Sequence, residues 1–118
     1  MRKPWSISIC FFLLYGCAAL QPEFSPLNPL PPEAVRMKAP SEVTIMTGVP
    51  PEGVHYIELG YVTVEENIWT VPNLTKEDFV EVIRRKAAQY GADAVIKFRI
   101  WGEKPHRKAE GIAIKYKD

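Results

Sequence analysis

Strict two-residue alternation of apolar and polar side chains marks three stretches of this chain, and a single helical stripe interrupts them. Val54 to Val64 (VHYIELGYVTV) sets Ile57, Leu59, Tyr61 and Thr63 against Tyr56, Glu58, Gly60 and Val62, the rhythm of a long strand. Gly60 inside it predicts a bulge or a close approach of another backbone. Thr75 to Gly91 carries Phe79, Ile83, Ala87 and Tyr90 on one stripe, flanked by Val80 and Val82. Thr75 suits the N-cap, Glu77 and Asp78 suit the positive end of the dipole, and Gly91 suits the left-handed residue that stops a helix. Lys86 lies beside the stripe and is expected to snorkel. Ala94 to Trp101 alternates again, which predicts Ile96, Phe98 and Ile100 inward with Lys97 and Arg99 outward. Ala109 to Tyr116 predicts Ile112, Ile114 and Tyr116 inward. Ser41 to Thr47 reads as a short β-type run before the Val49–Gly53 turn, and Ile68 to Val71 as a further short strand.

Upstream the rhythm disappears. Ile7 to Leu14 is apolar but for Ser8 and follows Arg2 and Lys3, the layout of a secretory signal peptide. It is short of the roughly 20 residues that cross a hydrocarbon core of about 30 Å, an uncleaved anchor over residues 4–20 being the alternative. From Ala18 to Pro40, six of 23 residues are proline. Proline fixes φ and removes amide donors, so the stretch predicts neither helix nor internal strand. It reads as a semi-rigid, disordered linker reaching at most about 70 Å at about 3.1 Å per residue. Phe24, Leu27 and Leu30 are spaced either to dock on something or merely to fill a spacer. Three segments result: a leader over 1–16, a linker over 17–40, and a domain over 41–118. The domain is α+β, ordered ββαββ, with one helix on a mostly antiparallel sheet.

With 118 residues, 47% hydrophobic and 25% charged, the chain has room for one small domain. A net charge of +1 lacks the basic excess of a dedicated nucleic-acid binder. Both cysteines lie early, Cys10 in the leader and Cys17 at its end, so the domain must fold without disulfides. His55 and His106 stand 51 positions apart without a cysteine partner, short of the ligands a metal site gathers. Glu65 and Glu66 are neighbours on a strand and point to opposite faces, which does not suit joint acid–base work. No nucleophile–base order or phosphate loop stands out, so no catalytic residue, cofactor or metal is expected. Charge is uneven: Arg84 to Lys117 holds ten basic residues against Asp93, Glu103 and Glu110. Lys97, Arg99, Lys104, Arg107, Lys108 and Lys115 form a candidate basic face, either docking anionic lipid or an acidic envelope protein, or simply solvated edge protection.

Two resemblances add to this. Leu14-Tyr15-Gly16-Cys17 resembles the lipobox of bacterial lipoproteins, which implies cleavage before Cys17 and acylation of that residue. Ala18 after the cysteine implies, by the same likeness, the outer membrane, with the domain in the periplasm or at the surface. Tyr56–Val62, Ala87–Ile96 (AAQYGADAVI) and Gly111–Tyr116 together resemble the small domain of the YbjQ-like and RcsF-like superfamily. RcsF-type members are lipid-anchored behind a proline-rich leash, and YbjQ-type members have been called heavy-metal-binding and ring-forming. The expectation is a non-enzymatic envelope lipoprotein, partnered by the bilayer through Cys17 and by an envelope protein, that serves as an interaction or monitoring module. The alternative is a small-ligand or metal-binding periplasmic module.

Overall fold

The longest local signal becomes the only α-helix among the described residues, α1 (Lys76–Gln89). In this computed structural model, residues 20–27, 36–66 and 74–117 are described. The Thr75 hydroxyl accepts from the Asp78 amide at 3.3 Å, and the Asp78 carboxylate accepts from the Thr75 amide at 2.7 Å. Each thus satisfies an amide that the first turn leaves open. At the other end the Gly91 amide donates to Ala88 O at 3.1 Å and the Ala92 amide to Ala87 O at 3.2 Å, with Gly91 at φ 76°. That is a Schellman stop, which a left-handed glycine makes without strain.

Among the described residues five strands form one sheet: β1 (Glu23–Pro26), β2 (Thr44–Ile45), β3 (Tyr56–Glu65), β4 (Ala94–Trp101) and β5 (Lys108–Tyr116). Their spatial order is β1-β3-β5-β4-β2. The β1–β3, β3–β5 and β5–β4 pairs are antiparallel and the β4–β2 pair is parallel. The fold is α+β, with one helix on a mixed, mostly antiparallel sheet. Helix α1 carries the chain from β3 to β4, two parallel strands with β5 between them, a split β-α-β unit.

Three expectations change, and one is untested. Residues 41–47 give a one-turn 3-10 helix (Pro40–Glu42) and only a two-residue strand. The expected strand at 68–71 lies outside the described residues. The region read as a linker, whose Phe24 and Leu27 are spaced either to dock or to fill a spacer, contributes β1, an edge strand, as a proline-flanked segment can. Leu20 belongs to the main core, and the Phe24 ring stacks on Tyr90 at 3.8 Å between centroids and 9° between planes. The ordered sheet therefore starts well before residue 41.

The third change concerns which side chains face α1. Leu59, Val62, Val64, Val95, Phe98, Ala109 and Ala113 meet Phe79, Ile83, Ala87 and Ala88 of the helix. Ile96, Ile112 and Ile114 join Ala94 in a second cluster on the other face. The reason is local. Ile96 pairs with Ile112 and Arg99 with Glu110, so Lys97 and Phe98 share one partner position in a bulge, Lys97 at φ 55°. The bulge moves Phe98 to the helix side while Ile96 stays on the opposite one. On β5 the helix side is Ala109, Gly111 and Ala113, small enough for α1 to come close. The larger Ile112 and Ile114 fall under the connection from β2 to β3, which must cross β4 and β5 on the face α1 leaves free. Met46 and Tyr56, at its two ends, pack on that cluster.

Gly60 behaves as the alternation predicts. The β3–β5 register shifts between Glu58 and Gly60, and a Cβ at Gly60 would stand 2.5 Å from Ser25 O and 2.7 Å from Phe24 Cζ. The bulge and the close approach are one feature, and β1 is what approaches.

Candidate functional site

One end of the sheet gathers a cluster of exposed charged and aromatic side chains. There β3 finishes at Glu65, β5 begins at Lys108 opposite it, and β4 finishes at Trp101 opposite Lys108. The Gly102–Arg107 connection joins β4 to β5, Gly102 at φ 95° and the His106 amide donating to Glu103 O at 2.7 Å. Arg99 Nε donates to Glu110 Oε2 at 3.0 Å, and its guanidinium lies 4.2 Å from the Trp101 ring centre. Lys108 Nζ stands 3.5 Å from Glu65 Oε2. A groove of about 450 Å³ opens here, lined by Gln21, Glu23, Thr63, Glu65, Trp101 and Lys108 among others. Tyr61, 43% exposed on β3, continues the same face.

Beneath this end lies a different kind of pair. Glu66 is the only buried polar or charged residue among those described, with 5% of its side chain exposed. Arg107 Nε donates to Glu66 Oε1 at 2.6 Å and Nη2 to Oε2 at 3.0 Å, while the Arg107 amide donates to Oε1 at 3.1 Å. Nη2 also donates to Leu74 O at 3.0 Å, and the guanidinium lies 5.0 Å from the Phe79 ring centre. The hydrogen bonds from Arg107 hold the Glu66 carboxyl below its ordinary value of 4.5, against the opposite pull of burial. The same bonds push the guanidinium up. Arg107 thus closes the approach of α1 to the sheet end. Its charge is spent internally.

The six basic residues do not share one face. Lys97 occupies the bulge, and Arg99 and Lys108 are matched by Glu110 and Glu65. Arg107 is in the buried pair, and Lys104 is exposed in the hairpin connection. Lys115 pairs with Ile57 near the opposite end of the sheet. The basic face read from sequence is dismantled by register and by carboxylate partners across the strands. Cys17 lies outside the described residues. His55 precedes β3 and accepts from the Lys117 amide through its carbonyl, while His106 sits in the β4–β5 connection, so the histidines occupy opposite ends of the sheet. Among the described residues no three His, Cys, Asp or Glu side chains gather as a metal site would need. Glu65 and Glu66 diverge as alternation predicts, one exposed and one buried.

Asp93 of the GADAVI element is a junction. One carboxylate oxygen pairs with Lys38 Nζ and the other accepts from the Tyr116 amide at 2.8 Å. Its backbone carbonyl accepts from Thr44 at 3.2 Å and its amide donates to Ile114 O at 2.8 Å. It ties the end of β5, the start of β2 and the segment before them to the helix exit, a structural task. Sequence reasoning missed Gln21, Glu23 and Thr63 as groove residues, because it placed the first two in a linker. The one pointer to them was Gly60, whose missing side chain makes room for β1.

No family model matches the chain, and no curated protein matches it in sequence. Among solved structures it is similar to the crystal structure of a Francisella virulence factor, FvfA, in its orthorhombic form. The two share 15% identity at a TM-score of 0.53, over 80% of this chain and 96% of that one. At that identity the likeness shows the fold alone: a small α+β domain with one helix on a five-stranded sheet.

Proposed function

We propose that this protein is a non-enzymatic lipoprotein of the bacterial cell envelope, acylated at Cys17, whose domain is a protein-interaction or envelope-monitoring module of the outer membrane. The observation that carries the reading is Leu14-Tyr15-Gly16-Cys17 placed directly after a basic n-region and an apolar core. Multiple acyl chains on one cysteine hold a protein firmly, each buried methylene contributing about 0.8 kcal/mol. The exposed ring of Tyr61 suits the interaction reading, since aromatic residues supply much of the energy of protein contacts.

Metabolic labelling with palmitate tests the anchor. The wild-type protein incorporates label and floats with membranes, and Cys17→Ser abolishes both. Photo-crosslinking from position 61 in living cells tests the module: a discrete protein adduct is expected. An unlabelled product that retains its first methionine would end the lipoprotein reading.

A further inference from the structure

The strand β1 changes what the lipid anchor does. A linker running from Cys17 to Pro40 would let the domain stand about 70 Å from its anchor at about 3.1 Å per residue. The sheet takes hold much earlier. Leu20 is buried in the main core, Glu23 to Pro26 pair with Thr63 to Gly60, and the Leu27 amide donates to Leu59 O at 3.1 Å. Phe24 lies on Tyr90, in the space that Gly60 leaves open. Only three peptide steps separate Cys17 from Leu20, a span of at most about 10 Å in any conformation.

Direction follows from register. β1 is antiparallel to β3 with Glu23 opposite Thr63, so the chain before Glu23 runs toward Glu65, the end of the sheet that carries the β4–β5 connection. Gln21 lines the same groove as Trp101 and Lys108, which places the start of β1 beside them. The opposite end, with His55 and Tyr116, lies a strand length away, about 30 Å for ten residues at about 3.3 Å each.

We infer that docking of Leu20–Leu27 converts the anchor into a short tether and seats the β4–β5 end of the domain, with Trp101 and Lys104, against the headgroup layer of the leaflet that holds the Cys17 acyl chains. The inference rests on acylation of Cys17. Trp101, 38% exposed, is the residue type that settles at the water–lipid interface. Charge does not drive the contact, because Glu23, Glu65, Glu103 and Glu110 accompany Arg99, Lys104 and Lys108 at this end. The tether does, so the seating is insensitive to salt.

The full acylated protein in vesicles bearing headgroup nitroxide lipids provides the test. Its remaining cysteine being blocked by lipid, single labels are introduced as His106→Cys and His55→Cys, both exposed sites at opposite ends. The label at 106 is expected to be quenched several-fold more than the label at 55, equally in low and high salt. Phe24→Asp, which sets a carboxylate against Tyr90, releases β1 and brings both labels to the same weak quenching, with circular dichroism reporting the retained fold. Equal quenching at 106 and 55 in the otherwise unchanged protein, or stronger quenching at 55, overturns the seating, and loss of the difference in salt overturns the tether as its cause. Those readings count only for protein that carries palmitate and floats. Protein that does neither refutes acylation itself, and the seating with it.

Discussion

Glu66 and Arg107 show how one pair can be misread from sequence and still matter. Arg107 looks like part of a basic surface, yet it supplies three hydrogen bonds to one buried carboxylate and a fourth to Leu74 O. Arg107→Met leaves Glu66 buried without its cation and is expected to destabilise the fold by about 2–4 kcal/mol, since breaking one side of a buried pair exposes the full desolvation cost. Urea unfolding at neutral pH measures it. The pH dependence has a definite sign. The folded carboxyl is held below its ordinary value of 4.5, so its contribution is complete above that value and is lost as pH falls from there toward the folded value. Stability should therefore drop on acidification below about pH 4.5 in the wild type. The same comparison in Glu66→Gln should show a shallower fall, and an equal fall in both would exclude Glu66 as its source.

At the scale of elements, the helix was readable and the strand faces were not. Thr75, the Phe79–Ile83–Ala87 stripe and Gly91 are local signals, and each does in the structure what its position suggests. Gly91→Ala would force an alanine into φ 76° and should cost about 1–2 kcal/mol, seen as a lower thermal midpoint with unchanged helix content at 20 °C. The faces of β4 and β5 need information that lies elsewhere in the chain. Alternation separates Ile112 and Ile114 from Ala109 and Ala113, but side-chain size alone assigns the helix to the wrong set. How closely α1 approaches decides the matter, and that distance is tertiary. The bulge at Lys97 is similarly silent, because its amide and that of Phe98 are drawn to Gly48 O and Met46 O, partners some fifty residues away. In the candidate site, Lys104, Arg107 and Lys108 are legible in the sequence only as members of one basic face, from which the structure withdraws Arg107. The acidic partner of Lys108 comes from register, and the groove needs β1.

At the scale of the molecule, β1 decides where the domain begins and whether its sheet has a safe edge. Read from composition, the domain starts at Ser41, and a chain cut there or at Arg36 should lose nothing. The structure argues otherwise. Removing residues 18–35 strips Leu20 from the core and the partly buried Phe24 from Tyr90. The lost contacts are expected to show as a lower urea midpoint for the shortened chain. A second consequence is independent of that midpoint. Without β1, the ten-residue strand β3 presents its outer backbone groups from Gly60 to Thr63 to solvent. An unpaired edge beside an exposed Tyr61 is a template for pairing with another chain. Sedimentation of chains beginning at Ala18 and at Arg36 compares the two directly. The shorter one should self-associate with rising concentration at a lower threshold than the longer one. Adding a synthetic peptide of residues 18–27 should suppress that association by refilling the edge. Identical sedimentation and identical urea midpoints for the two chains would return β1 to the status of a spacer.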